Sequence, residues 1–539
     1  MKIRKPIRII LSLVLSLGLA LMFSGPVLAS EDELLSEVRG LLMEYYVDPL
    51  SEEVLNASTI QEMLTKLGDE NTEYLTGSEF EAFLDGLDRT FSGIGVELQM
   101  APQGALVTKI LAGYGAEKAG LKAGDIIIEA DGFSLVDKSL EFCVSKLKGP
   151  EGSKANLKIV RGAETLSFAV VRQQIVLPLV EGRILENRIG YLAIYSFGEE
   201  TPAQFQRQFE KLKAQGANSW IIDLRGNGGG YTQAAFELLG YLIGNKTAVI
   251  VKDNGDVYTA IQAKKQDQEL EGPIILLTDS FTGSASEIVA GAVKDHNRAT
   301  LLGKTTYGSG RVKALVPLSN GDYLKMTIQR FFSPGNKAID QVGVSPHLNL
   351  VSAEGLELAA LLLKNSNTKI EDKTGYLKLK AGPNDFILSL ADLRQEKNWQ
   401  AGQRLFDIVR SADLKLGTEE GWSSVSEEFL KERENIYYPG YSKVGNLTQV
   451  PLNKMFTITF NCYIDYETIN GESIELIQLN TGERLPCTFT AVDRFRLKAK
   501  PQKELQAQTD YWLVIHPEVK SADGRHIRGG VARIQTLGS

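Results

Sequence analysis

The segment FTGSASEIVAG, Phe281 to Gly291, sets a run of small residues ahead of helical spacing, a turn that can lift the Ser284 hydroxyl to a helix N-terminus. A serine in that place serves one of two ends. With Glu287 three residues later it forms a capping box that satisfies the free amides of a helix start. With a base beside it, it is a nucleophile. A second segment bears on the choice. IIDLRGNGGG, Ile221 to Gly230, runs an apolar strand into three glycines, whose bare backbone lets amides approach a ligand closely. The amide of Gly229, with that of Ala285 just after the serine, would form a two-donor hole for the oxyanion of a tetrahedral intermediate. Phosphate binding is the other use of such a loop, but no P-loop lysine follows it. Taken together, the two segments point to acyl transfer by a serine.

The elements that must hold these residues lie between 177 and 365, where strands such as RIGYLAIYSF, SWIIDLRG and PIILLTD alternate with helical stretches through Phe205 and Leu238. Strands separated by helical crossovers imply an α/β core with a largely parallel sheet. Residues 30–90 form a small helical lead-in, with Leu34, Val38, Leu41 and Tyr45 on one face of its first helix. Residues 91–176 change to short strands and one helix near Ser139 to Leu147. There FSGIGVEL and AEKAGLKAGDIIIEADG resemble a PDZ domain. That resemblance implies capture of a peptide C-terminus by strand addition, with the terminal carboxylate at the backbone amides of Gly93, Ile94 and Gly95. Residues 366–440 are mixed and polar and read as a connector with some structure of its own. From 441 to 539, alternating strands with turns at NTGE and SADG suggest an immunoglobulin-like β-sandwich, similar to the bacterial Ig-like modules of envelope proteins. What such a module touches is not written in its sequence.

The first 29 residues carry Lys2, Arg4, Lys5 and Arg8 ahead of an apolar run from Ile9 to Phe23 and a small-residue site at Val27 and Ala29. This is the pattern of a secretory signal peptide, an uncleaved membrane anchor being the alternative. An extracytoplasmic chain is expected. Removing those four cations moves the formal net charge from −8 to −12, which argues against a nucleic-acid partner. The four histidines, His296, His347, His516 and His526, are scattered, and no HExxH or CxxC motif appears, so neither a metal nor another cofactor is expected. Cys462 and Cys487 both fall on inward positions of expected strands; a disulfide between them and two separate buried thiols both fit.

In this order, LGDENTEYLT, FSGIGVEL, IIDLRGNGGG, GSASEIVAGAVKDHNRATLLGKTTYGSG and LKMTIQRFFSPGNKAIDQVGVSPH resemble the C-terminal processing peptidases, or tail-specific proteases. The match runs from about Leu67 to His347, half of the chain. It implies a multidomain α+β protein, a PDZ domain joined to a protease core of the ClpP and crotonase architecture, with Ser284 as nucleophile and protein C-termini as the bound partner. It also exposes a departure. The family pairs its serine with a lysine 25 residues later, and that position is Ser309, in TYGSGRVK. A lysine base must have its ordinary pKa of ~10.4 lowered toward 7, whereas a serine hydroxyl stays protonated at physiological pH, so Ser309 can hydrogen-bond to Ser284 but cannot be the base that keeps its proton. Lys313 stands where the family carries a glutamine that contacts the catalytic lysine, and is the candidate relocated base. A straight strand would displace it by ~13 Å, so the chain must bend at Gly308 and Gly310. Lys304 reads as a solvated charge, and His296, ~18 Å along the helix, is out of reach. Two functions follow from the same residues. One is a serine endopeptidase with Lys313 as base; the other is a catalytically inactive relative that binds C-termini as an adaptor or regulator.

Overall fold

The computed structural model describes residues 30–350, 355–365 and 369–538; the expected signal segment lies outside them. Its centre is a six-stranded sheet in the order Val180–Leu185, Ile189–Ile194, Ser219–Asp223, Ile274–Thr278, Thr300–Gly303 and Leu348–Asn349. All pairings are parallel except that of the first two strands. Ser219–Asp223 and Ile274–Thr278 are buried at every position, as strands covered on both faces must be. Their side chains divide by the two-residue period of a strand. Trp220, Ile222, Ile274 and Leu276 enter one core with the helices Thr201–Ala214, Thr232–Ile243 and Ala285–Asp295. Ile221, Ile275 and Leu277 enter another with the helix Gly355–Leu363.

Loops leaving the carboxyl ends of three adjacent parallel strands carry the residues singled out above. Asp223 leads to the glycine loop, Thr278 to Ser284, and Gly303 to Ser309. In open α/β sheets this edge is where ligands bind. The glycines themselves precede a helix that starts at Thr232, two residues beyond Gly230.

A second sheet lies beyond that edge. Arg311–Pro317 folds back on Tyr323–Phe332, which also pairs with Glu73–Leu75 and Thr247–Lys252. The N-terminal lead-in is therefore part of this sheet, and Leu35, Val38 and Leu42 of its first helix, Glu31–Tyr45, bury against Leu324 and Met326. Between lead-in and core, the expected PDZ sheet has six antiparallel strands, five in the order Val96–Ala101, Gly104–Ile110, Ile126–Ala130, Lys154–Arg161 and Glu164–Val171, with Phe133–Ser134 pairing beside the third. The helix Leu140–Leu147 packs against the first of them.

The stretch read as a connector is a structural layer. Its four-stranded sheet, including Tyr376–Ala381 and Asn384–Ser389, and its helix Glu396–Ile408 close the second face of the central sheet. The C-terminal domain is a sandwich of a five-stranded and a three-stranded sheet. Both cysteines there are free thiols. Cys462 departs from expectation: the strand Phe456–Thr459 ends before it, and it sits in a bend while still packing against the core. Cys487 opens its strand, and burial pushes its thiol up to about 11.

Candidate active site

Ser284 is built into place by the turn before it. Asp279 Oδ1 accepts the amides of Phe281 and Thr282, each at 3.0 Å, and Thr282 Oγ1 donates to the Leu224 carbonyl at 2.9 Å, tying the turn to the glycine loop. Ser284 then adopts φ 52° and ψ −117°, a conformation that costs a non-glycine residue about 1–3 kcal/mol and persists only where its surroundings enforce it. Ser284 and Glu287 face each other in capping-box fashion, yet the serine hydroxyl makes no cap hydrogen bond. The Glu287 amide turns to the Ser284 carbonyl at 2.8 Å. The serine is half-buried, and the rings of Phe281 and Tyr307 nearby are 71% and 69% exposed.

The glycine loop meets it directly. A Cβ on Gly229 would lie 2.7 Å from Ser284 Cβ and 3.0 Å from the Ala285 nitrogen, and its φ of +112° is one that side chains avoid. The Ala285 amide has no partner among the described residues, whereas that of Gly229 donates to Asn227 Oδ1 at 2.9 Å. An oxyanion at Gly229 must therefore share or displace that bond. Asn227, fully buried, is a residue that the sequence reading missed. Its Nδ2 donates to the Ile194 carbonyl at 2.9 Å, and its carbonyl accepts the Gly283 amide and the Ser286 hydroxyl, both at 3.0 Å. It holds both halves of the expected oxyanion hole in one frame.

Glu287 holds the third segment. Oε2 accepts the amides of Ser284 at 2.9 Å and Ser309 at 2.8 Å, while Oε1 accepts the Gly308 amide at 2.7 Å and Thr306 Oγ1 at 2.5 Å. All four partners donate, the pattern of an ionised carboxylate. Burial pushes its carboxyl above the usual range, and those hydrogen bonds oppose the rise. Nothing in the spacing beyond a capping box announced this. The available signal was an acidic residue in the first turn of an otherwise apolar helix, since a buried carboxylate must find donors.

Beyond Ser309 the chain does turn back. Gly308 has φ +93°, and a Cβ on Gly310 would lie 2.2 Å from the Asp340 nitrogen. The strand Arg311–Pro317 then carries a register shift between Val312 and Lys313, which re-aims the side chain. The result overrides the straight-strand displacement: Lys313 Nζ lies 3.4 Å from Ser309 Oγ. Lys313 has no ion-pair partner among the described residues. Burial first, then the charge of Lys325, depresses its pKa below the ordinary lysine value, and Asp69 and Asp340 oppose the shift. Asp69 also grips the strand itself, through Arg311 at 2.9 Å. The other two amines or rings stand away: Lys304 is exposed, and His296 closes the far end of the serine helix with Nε2 at 2.7 Å from the Thr247 carbonyl.

In the PDZ sheet, Gly93, Ile94 and Gly95 lead into Val96–Ala101, an edge strand with one side unpaired. The amides of Ile94 and Gly95 have no partner among the described residues. The segments on either side of this domain dock beside the glycine loop. Ser196 Oγ donates to the Leu87 carbonyl at 2.6 Å, and the Phe197 amide donates to the Gly229 carbonyl at 2.9 Å.

Comparison with known proteins assigns families to three stretches of the chain. Residues 188–350 match peptidase family S41, residues 87–160 a PDZ domain and residues 444–534 a bacterial Ig-like domain. The chain is 32% identical to the carboxy-terminal processing protease CtpB of Bacillus subtilis over 60% of its own length and 68% of that protein's. It is 27% identical to a probable CtpA-like serine protease of Staphylococcus aureus over 79% of its length and 84% of that protein's. A solved structure described as a photosystem II D1 C-terminal processing protease is 26% identical, covering 61% of this chain and 96% of that one with a TM-score of 0.41.

Proposed function

We propose that this chain, which belongs to the carboxy-terminal processing proteases of peptidase family S41, is a serine endopeptidase that works outside the cytoplasm, holds protein C-termini in its PDZ domain and cleaves the polypeptide. Ser284 attacks the scissile carbonyl, Lys313 takes its proton, and the amides of Ala285 and Gly229 receive the oxyanion. Collapse expels the amine with a proton returned by Lys313, and water then releases the acyl group by the same route.

One observation carries the reading. The lysine that the resemblance places at 309 is absent, yet an amine stands 3.4 Å from the Ser309 hydroxyl. Burial and neighbouring cations favour its neutral form, the form a base needs. The free edge of Val96–Ala101 supports capture of an extended tail. The cationic and apolar N-terminus, together with a bacterial Ig-like domain, supports the extracytoplasmic setting. Among the described residues no helix is long and apolar enough to cross a membrane.

Ser309 itself favours a second reading, that of an inactive relative acting as a C-terminus-binding adaptor. The two part in one experiment: residues 30–539 are mixed with an unstructured protein bearing an apolar free C-terminus, and products are read by mass spectrometry. Cleavage by the wild type and none by Ser284→Ala is the expected result. If both are inert while Ser309→Lys cuts, the adaptor reading replaces this one.

A further inference from the structure

We propose that the Ser309 hydroxyl is the proton conduit between Ser284 and Lys313, so that the site works as a serine–serine–lysine triad in which Ser309 is a catalytic residue. This rests on the reading of Ser284 as nucleophile and Lys313 as base given above.

The two serines are fixed beside one another by a shared acceptor. The amides of Ser284 and Ser309 both donate to Glu287 Oε2, at 2.9 and 2.8 Å. The loop bearing Ser309 is held again through the Gly308 amide on Glu287 and through Thr306, whose hydroxyl bonds Glu287 and accepts the Val344 amide at 2.7 Å. On its other side Ser309 Oγ meets Lys313 Nζ at 3.4 Å, which is the hydrogen bond Lys313 makes among the described residues. The Ser284 hydroxyl makes no cap hydrogen bond, and the relay requires it to turn toward Ser309. Catalytic hydrogen bonds are often long in unliganded sites and tighten when substrate binds, as the 3.4 Å contact of Lys313 with Ser309 would.

A hydroxyl both donates and accepts, so it passes a proton without being ionised itself. In the acylation step the Ser284 proton moves to Ser309 Oγ as the Ser309 proton moves to Lys313 Nζ, while the Ser284 oxygen bonds the carbonyl carbon and the carbonyl π pair becomes the oxyanion. Collapse breaks the C–N bond, and the ammonium proton returns through Ser309 to the leaving nitrogen. Water repeats the sequence on the acyl-enzyme, which leaves Ser284, Ser309 and Lys313 as they began. The arrangement also accounts for the residue type at 309. A lysine there would confront Lys313 in a pocket that already feels Lys325 and Arg311, whereas the short serine leaves room for one amine and bridges the gap to it.

The test uses residues 30–539 and steady-state cleavage of the unstructured substrate. Ser309→Ala is expected to lower kcat by roughly 10²–10⁴-fold with KM little changed, and Ser309→Thr to keep most of the activity, since only the hydroxyl matters. The rate of the wild type in H2O–D2O mixtures should bow downward, as two protons in flight require. Lys304→Ala should match the wild type. Ser309→Ala cutting within about threefold of the wild type overturns the relay and leaves Lys313 acting directly on Ser284. Loss in both Ser309→Ala and Ser309→Thr, with a linear isotope plot, overturns it as well and makes Ser309 a packing residue. A wild type no more active than Ser284→Ala defeats the protease reading and the relay together, a result neither Ser309 outcome resembles.

Discussion

At the level of single residues, one amine and one carboxylate decide the proposed chemistry. Lys313 must be neutral to act, so kcat/KM should rise with pH as it loses its proton and level off above. Because burial depresses its pKa, the midpoint of that rise should fall below the ordinary lysine value of 10.5. Lys313→Met should remove the limb along with most of the rate; a profile that keeps its limb in that variant assigns the limb to another group. Glu287 should matter as a support. Glu287→Gln turns an amide donor toward groups that already donate, leaving buried partners unsatisfied at a cost of about 1–3 kcal/mol, with a lower Tm and lower activity together. Thermal unfolding of that variant without any loss would remove Glu287 from the frame. Ser284 and Ala285 were legible in the sequence because a small-residue turn before a helix is local. Asn227 was not, since its role depends on Ile194, Gly283 and Ser286, brought to it only by the fold.

At the element scale, what counts is how close backbones approach. Gly229→Ala puts a methyl 2.7 Å from Ser284 Cβ at a φ that side chains avoid, so cleavage should fall by roughly 10²–10³-fold, the loss typical of one oxyanion donor. Unchanged turnover in that variant would take Gly229 out of the oxyanion hole. The alternation of strand and helix predicted the parallel sheet correctly, and the apolar run SWIID is a strand that the structure buries at every position. The return of Lys313 to Ser309 was legible only as a requirement, two glycines that would have to bend. The register shift after Val312 belongs to pairing with Tyr323–Phe332 and leaves no mark on local spacing. For the PDZ sheet, peptides with free C-termini should bind more tightly than their amidated forms when titrated against the edge strand. Equal affinities would exclude carboxylate capture at Gly93 to Gly95.

At the scale of the whole molecule, one core joins the central sheet, the connecting layer and the Ig-like domain. Ile189 and Ile221 of the central sheet, Trp399 and Tyr437 of the connecting layer, and Trp512 of the Ig-like domain belong to one buried cluster. The rings of Trp512 and Trp399 meet at 5.8 Å, and those of Trp399 and Tyr437 at 4.7 Å. Trp512→Ala should cost about 3–5 kcal/mol, and the Ig-like domain should unfold with the protease core in one transition. Two separate transitions in calorimetry would mean that it is an independent appendage. The sequence announced the sandwich through alternation, but the docking of its Trp512 against a layer read as a connector depends on Trp399 and Tyr437, partners far away in the chain.

In the proposed function Ser284 is an activated nucleophile although no lysine occupies position 309. Mass spectrometry of the intact chain and of its peptides after treatment with an organofluorophosphonate, which phosphonylates a serine whose proton can be taken, tests this without a substrate. One adduct on Ser284 in the wild type, strongly reduced in Lys313→Met, is the expected result. No adduct on Ser284 at any pH at which the chain stays folded, with an adduct appearing in Ser309→Lys, would contradict it.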